Sequence, residues 1–176
     1  MLNVGGGASR YLPPEYDGWE QDLLDIDPAV KPDICCDALE LVDKHEHQCR
    51  YDAVYCSHNL EHFYAHEVQQ VLAGFKKVLQ SGFVDISVPN VKGLMQTMLQ
   101  GNLDVNDVFY RTGQGAPITF HDVLYGWSQA MSQGNLFYAH KCGFTAISLH
   151  KALSDAGFKN IQIVETNNNL TAKGFV

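Results

Sequence analysis

Hydrophobic positions along the chain follow two spacings, one typical of buried strands and one of amphipathic helices. Short apolar or β-rich runs, each closed by a polar residue, glycine or proline, predict strands at 2–4, 19–24, 33–36, 51–56, 83–88 and 161–164. Apolar residues three and four positions apart predict one long helix from Leu60 to Leu79, ended by Ser81 and Gly82. A second helix is predicted at 148–156, and 170–176 is predicted to return antiparallel after an asparagine turn.

This order of elements predicts an α/β fold. A strand, a helix and a strand within about 40 residues form a parallel pair with a right-handed crossover. Between 91 and 143 the pattern is looser but helical, and we interpret this segment as a substrate-side helical insertion. The whole chain, 1–176, is then expected to be one domain.

The first crossover is unusual. Gly5, Gly6 and Gly7 follow the first strand, and Pro13-Pro14 lie in the short stretch before the second. Proline is not accommodated in a helix interior, so the first crossover helix is predicted to be short or absent.

Charge and composition exclude some classes of binding partner. The 12 basic residues against 20 acidic ones give a net charge of −8, which disfavours a nucleic-acid partner. No apolar run has the length of a membrane helix, so no membrane partner is expected. Five cysteines without a paired framework are typical of reduced thiols, so a cytoplasmic location is expected. Oligomeric state is left open.

Polar residues follow four successive predicted strands. Glycine, aspartate, aspartate and a serine-histidine pair end these strands, at Gly5–Gly7, Asp25, Asp37 and Ser57-His58. In a parallel sheet these ends meet at one edge, where ligands bind. Glycine permits close backbone approach, Asp25 can accept both hydroxyls of a ribose, and Asp37 can accept from an adenine amino group. The set predicts a site for an adenosine-containing cofactor.

The absence of the first crossover helix favours some adenosine-containing cofactors over others. A pyrophosphate is normally bound at the N-terminus of that helix, so the loss of the helix disfavours a dinucleotide. The stretch GGGASR also lacks the G-x-G-x-x-G pattern, which argues against a nicotinamide oxidoreductase. S-adenosylmethionine, which carries no phosphate, fits better.

Several segments resemble the class I S-adenosylmethionine-dependent methyltransferases, and within them the small bacterial type 11 group. The similarity spans nearly the whole chain, and its segments are LNVGGG, LLDIDP, PDICCDALEL, YDAVYCSHNLEHF, VLAGFKKVLQSGFVDISVPN and YAHKCGFTAISLHKALSDAGF. The resemblance implies a Rossmann-like, mostly parallel seven-stranded sheet whose last strand is antiparallel.

The resemblance also implies positions for the cofactor S-adenosylmethionine. Gly5 and Gly7, with Gly6 between them, would face its methionine part, Asp25 the ribose and Ile26 one face of adenine. Asp37 and Ala38 would meet the adenine edge. Ser57 and His58 would border the sulfonium.

A catalytic residue is not defined by these motifs. Methyl transfer requires alignment of donor and acceptor, and a base only when the acceptor loses a proton. His121 and His140, in the 91–143 segment, are weak candidates for that base, and a packing or capping role for each is the alternative.

A metal site is not expected. His58, His62 and His66 recur every four residues, and two imidazoles on one helical face can hold zinc. The sequence supplies no evident third or fourth ligand.

Two functions remain open. One is methyl transfer to a small-molecule or glycan-precursor acceptor bound beneath the 91–143 segment. The alternative is a degenerate methyltransferase fold that acts as a non-catalytic cofactor-binding or protein-interaction module, since the glycine loop is short and no base can be assigned.

Overall fold

The structure, a computed structural model, describes residues 1–113 and 115–176, with the backbone alone at His45. Its strands are β1 Leu2–Val4, β2 Asp22–Asp25, β3 Ile34–Cys35, β4 Tyr51–Ser57, β5 Leu79–Pro89, β6 Val108–Arg111, β7 Pro117–Thr119, β8 Lys159–Glu165 and β9 Asn169–Phe175. Its α-helices are α1 Val68–Val78, α2 Val91–Gly101, α3 Phe120–Tyr125, α4 Ser128–Ser132 and α5 Ala146–Asp155.

Seven strands form the central sheet, in the order β3-β2-β1-β4-β5-β9-β8. The pairs from β3 through β5 are parallel, whereas β9 runs antiparallel to both β5 and β8. Val4 lies between Leu24 and Cys56 in register, so the ends of β1, β2 and β4 meet at one edge. This confirms the predicted α/β fold with an antiparallel last strand.

Successive side chains of β4 point to opposite faces of the sheet and pack into two different hydrophobic cores. Val54 and Cys56 are fully buried in the larger core, which also contains residues of α1 and α5. Ala53 and Tyr55 point to the opposite face, as successive strand residues must, and pack in a smaller core with Tyr16.

The first crossover contains a 3₁₀ turn, Pro14–Tyr16, in place of a helix. Tyr16 is buried by this turn, and its phenol donates a hydrogen bond to the buried carboxylate of Asp85 on β5. The ammonium of Lys173 lies 3.7 Å from the same carboxylate. The predicted loss of the first helix is therefore confirmed, and a tyrosine-centred cluster covers part of that sheet face.

The long helix predicted from Leu60 to Leu79 is wrong at both ends. Leu60–His62 forms a 3₁₀ turn, the chain is extended at Phe63, and α1 begins only at Val68. Gly82 does not end a helix. It has φ of +116°, and a Cβ there would lie 2.0 Å from the Asp52 carbonyl oxygen, so it belongs to an irregularity where β5 pairs with β4.

The 91–143 segment holds more than the predicted helices. Besides α2, α3 and α4, its described residues include the antiparallel hairpin β6–β7, which the helical pattern did not indicate. Thr119 and Asp122 cap α3 reciprocally. None of the helices in the described part of the chain has the length and apolar character needed to cross a bilayer.

Candidate active site

A cavity of about 510 Å³ opens at the carboxyl ends of β1, β2 and β3. This volume lies within the range of about 300–1,000 Å³ that is usual for small-molecule sites. Most of the predicted cofactor residues line it: Gly5, Gly7, Asp25, Ile26, Asp37, Ala38 and His58. The strand ends that the sequence predicted to meet thus surround one space.

The glycine loop is shaped by its neighbours. Gly5 has φ of +70°, and a Cβ there would lie 2.3 Å from Nδ2 of Asn59. Gly6 is not among the residues lining the cavity, because it sits over Asn3, whose side chain would be 2.6 Å from a Cβ. Gly7, with φ of +58°, donates its N–H to Oδ2 of Asp25 at 3.2 Å.

Asp25 joins the first two strand ends. Its Oδ2 accepts from Gly7, and its Oδ1 accepts from the backbone N–H of Asp27 at 3.0 Å. A carboxylate has about four lone-pair sites, so further hydroxyl donors can still bind. Ile26, next along the chain, contributes an apolar side chain to the lining that is 41% exposed.

The third strand end presents a turn. Asp37 caps the 3₁₀ turn Ala38–Asp43, and its Oδ1 accepts from the N–H of Leu39 at 2.9 Å. Ala38 is buried and lines the cavity beside it. Asp37, Ala38 and Ile26 thus line the same cavity.

The fourth strand end departs from the prediction at one residue. Ser57 is not among the lining residues, because it is still part of β4, where it pairs with Ser87. His58, with φ of +49°, turns the chain while its N–H donates to the Ser87 carbonyl at 2.8 Å. The imidazole of His58, rather than the Ser57 hydroxyl, reaches the cavity.

Other lining residues were not assigned from the sequence. They include Asn59, His62, Phe63 and Glu67 after β4, and Asn135, Leu136, Phe137, Tyr138 and Lys141 from the 91–143 segment. Asn59 and His62 lie in the stretch SHNLEH, residues 57–62, which is part of a segment that carries the family resemblance. That stretch was the sequence signal by which these two lining residues could have been found. Leu136 and Phe137 are 70% and 57% exposed, and their place beside the cavity depends on tertiary packing that spacing does not reveal.

The two histidines suggested as bases differ. His121 is not among the lining residues, and its ring packs against Tyr125. Its backbone N–H donates to the Val105 carbonyl at 2.8 Å. His140 also lies outside the lining, but next to His62, with ring centroids 4.9 Å apart. Burial lowers the pKa of the His140 imidazole, against the opposing effect of the Glu61 carboxylate.

Glu61 lies behind the cavity wall. It is only 1% exposed, and among the described residues neither carboxylate oxygen has a hydrogen-bond partner. Nδ1 of His58 is 3.4 Å from Oε1 but outside hydrogen-bonding geometry, and Nε2 of His140 is 4.0 Å from it. The backbone carbonyl of Glu61 accepts from the N–H groups of Lys141 and Cys142, which holds the His140 segment against it.

The histidines that meet are not the three that recur every four residues in the sequence. His66 is exposed and stacks on Tyr64, with ring centroids 5.7 Å apart. Glu61, His62 and His140 instead each bring one potential ligand atom within 4.8 Å of the others. The four-residue spacing would align these histidines only on a helix, and the predicted helix from Leu60 begins instead at Val68.

No protein-family model and no curated protein matches the chain. Solved structures do match it. A methyltransferase from Archaeoglobus fulgidus, described as dependent on S-adenosylmethionine, has a TM-score of 0.62 at 14% identity, over 99% of this chain and 85% of that one. A putative O-methyltransferase from Nostoc punctiforme has a TM-score of 0.60 at 16% identity, and the match covers 99% of this chain but only 50% of that one.

A third match is the magnesium protoporphyrin IX methyltransferase from Synechocystis, solved with S-adenosylhomocysteine. It has a TM-score of 0.57 at 15% identity, over 99% of this chain and 72% of that one. The chain has the class I methyltransferase fold. The narrower resemblance to the type 11 group stays a prediction.

Proposed function

We propose that the chain binds S-adenosylmethionine in the cavity at the sheet edge and transfers its methyl group to a small-molecule acceptor. One observation carries this proposal: Gly5, Asp25 and Asp37, from three strand ends, line the same cavity. Methyltransferase structures with the same fold, including one that contains S-adenosylhomocysteine, support it.

Each lining group has a role that its chemistry suits. Asp25 would accept the ribose hydroxyls through the lone pairs that Gly7 and Asp27 leave free. Ile26 would cover one face of adenine, while Asp37 and Ala38 would border its edge. The open backbone at Gly5 and Gly7 would admit the methionine part.

Bound there, S-adenosylmethionine would supply an electrophilic methyl group on a sulfonium. The chain would contribute orientation, which can lower the barrier by several kcal/mol when the reacting atoms are aligned. His58, which lines the cavity near Glu61, replaces His121 as the candidate to take up a proton from an acceptor that must lose one.

The acceptor side of the cavity is apolar and aromatic. Leu136, Phe137 and Tyr138 line it with partly exposed side chains, and Trp127 packs edge-on against Tyr138. Lys141 lies beside them and could pair with an acidic group. We expect a small acceptor with an apolar body, and a glycan precursor attached to such a body remains within this class.

The binding step can be tested by calorimetry and thermal shift with S-adenosylmethionine, S-adenosylhomocysteine and NAD. At 100 times Kd a ligand adds about 2.7 kcal/mol, or roughly 5–10 °C in Tm for a chain of this size. We expect a response to the first two ligands that Asp25→Ala abolishes and Asp17→Ala, a change at an exposed carboxylate, retains.

The alternatives predict other outcomes. A response to NAD alone would favour an oxidoreductase. No response to any ligand by a folded protein would favour the non-catalytic interaction module. Transfer of labelled methyl groups to fractionated small molecules would then identify the acceptor.

A further inference from the structure

We propose that Glu61, His62 and His140 bind a divalent transition-metal ion of the zinc type, at a site behind the wall of the cavity. The three residues come from the turn after β4 and from the segment after α4, and each brings a ligand atom within 4.8 Å of the others. The inference concerns the chain's own side chains and does not depend on the proposed cofactor.

The carboxylate of Glu61 is the first reason. It is 1% exposed, and both oxygens lack a hydrogen-bond donor among the described residues. A buried carboxylate without hydrogen-bond donors is unfavourable, and buried charges are normally paired and hydrogen-bonded or bound to metal. Lys141, whose backbone N–H donates to the Glu61 carbonyl, places its ammonium 4.9 Å from the Tyr64 ring, in a cation–π contact.

The histidines provide the second reason. Nδ1 of His62 lies 3.0 Å from the Ala139 carbonyl oxygen, and Nδ1 of His140 lies 2.9 Å from that of Val123. A carbonyl can only accept, so both Nδ1 atoms carry the hydrogen and donate it. An imidazole that donates from Nδ1 leaves Nε2 as its ligand atom, and metal-binding histidines are usually oriented by such a second hydrogen bond.

No hydrogen bond joins the facing ligand atoms of Glu61 and His140. Nε2 of His140 lies 4.0 Å from Oε1 of Glu61, which is too far for a hydrogen bond. A divalent ion between them would bind to both atoms. Each ligand atom would need to move by less than about 1 Å to reach the ~2.1 Å of a zinc–imidazole bond.

Two nitrogens and one oxygen favour zinc or a similar ion over magnesium or calcium, which prefer oxygen ligands. Three protein ligands also leave a further coordination position, as in catalytic zinc sites. His62 lines the cavity as well, so this position borders the same space. If the proposed methyl transfer is correct, the ion would bind and activate an acceptor oxygen, which makes an oxygen-bearing acceptor the expected class.

The test uses chelator-treated full-length protein without a polyhistidine tag and without cofactor. Calorimetry with ZnCl₂ should give one ion per chain, and CoCl₂ should produce the visible absorption of a four- or five-coordinate ion. Glu61→Gln and His140→Gln should each weaken binding by about 100-fold or more, since even outer partners of metal ligands cost about 10–100-fold. His66→Gln and His121→Gln, which change histidines outside the cluster, should bind as the parent does.

Stability provides a second readout. ZnCl₂ should raise Tm of the metal-free parent and should not raise Tm of Glu61→Gln. Folding of each variant is checked by circular dichroism, and His140→Gln serves if Glu61→Gln does not fold. No zinc binding by folded parent, or binding unaffected by either variant, would overturn the proposal.

The metal and cofactor proposals can fail separately. Asp25→Ala should lose S-adenosylhomocysteine binding yet keep the Co²⁺ spectrum. Glu61→Gln should lose the Co²⁺ spectrum. Its affinity for S-adenosylhomocysteine is measured in a separate titration. A Co²⁺ spectrum in a protein that binds no adenosyl ligand would leave the metal site standing and reject the proposed function.

Discussion

Gly5 lies so close to the side chain of Asn59 that it has no room for a Cβ. A Cβ on Gly5 would lie 2.3 Å from Nδ2 and 2.6 Å from Cγ of Asn59. Sγ of Cys56, in β4, lies 4.0 Å from Oδ1 of Asn59. The end of β1 and the end of β4 thus form one wall of the cavity.

Gly5→Ala is therefore expected to damage the cavity more than the fold. The backbone at φ of +70° costs a residue with a Cβ roughly 1–2 kcal/mol, and the contact with Asn59 adds to this. We expect S-adenosylhomocysteine binding, measured by calorimetry, to weaken by about tenfold or more, the equivalent of about 1.4 kcal/mol.

Gly18→Ala is the matched control. Gly18 has φ of +84°, but nothing lies within 4 Å of a Cβ there, and it is not among the lining residues. It should lose similar backbone stability and keep ligand binding. Equal binding by both variants would show that Gly5 does not shape the ligand site.

Gly126→Ala should displace the segment that carries His140, although Gly126 is not itself one of the proposed metal ligands. A Cβ on Gly126 would lie 1.9 Å from the Tyr138 carbonyl oxygen, at φ of +100°, where the backbone is bridged to Ala139. Relief of this clash must displace the chain next to His140. We expect Co²⁺ binding to weaken, measured by its visible absorption, and Tm to fall.

The control for this displacement is Gly134→Ala. Gly134 has φ of +93° but open space around a Cβ, so it carries the backbone cost without the clash. If Gly134→Ala impaired the Co²⁺ spectrum as much as Gly126→Ala, the close packing at Gly126 would not be the cause.

The sheet and its cavity could be predicted because their signals are local. Leu2–Val4 and Tyr51–Ser57 are strand-forming runs, followed by glycine and by polar residues respectively. Parallel pairing brings the carboxyl ends of such strands to one edge of the sheet, independently of the loops between them. The missing first helix was also predictable, since Pro13-Pro14 excludes it within its own sequence.

The cluster around Glu61 was not predictable from spacing. In sequence Glu61 looks like a polar residue at the start of an amphipathic helix, whereas the structure buries it in a 3₁₀ turn. His140 reaches it through backbone hydrogen bonds from Lys141 and Cys142 to the Glu61 carbonyl, which no local pattern reports. Ser57 lies outside the cavity lining, because β4 continues one residue beyond the predicted strand 51–56.

Tyr16→Phe should destabilise the fold without affecting the cavity. Phenylalanine keeps the ring that packs against Phe83 and Tyr55, but removes the hydrogen bond to the buried Asp85 carboxylate. Loss of a donor to a buried charged group costs about 1–3 kcal/mol, or roughly 2–12 °C in Tm for this size of chain. Tyr11→Phe, a change at a side chain that is 62% exposed, should leave Tm unchanged. Equal Tm for parent and Tyr16→Phe would exclude a stabilising role for this bond.

Asp122 should make stability depend on acid pH. Burial raises the pKa of its carboxyl, but hydrogen bonds from Ser128 and Thr119 outweigh this and lower the pKa to about 2. A carboxyl whose pKa is depressed by folding stabilises the protein above its unfolded pKa of about 3.9, and loses that contribution as pH falls through the folded value.

Asp122→Asn removes this contribution, because an amide cannot accept from Thr119 and Ser128 on both of its sides. We expect the variant to lose about 2 kcal/mol in free energy of unfolding at pH 7, measured with urea, and the gap to the parent to shrink between pH 4 and pH 2. Asp155→Asn, which alters an exposed ion pair with Lys151, controls for the loss of one negative charge and should cost about 1 kcal/mol or less at pH 7. A gap between parent and Asp122→Asn that stayed constant down to pH 2 would contradict the assignment, since protonation of the parent's carboxyl must erase the difference.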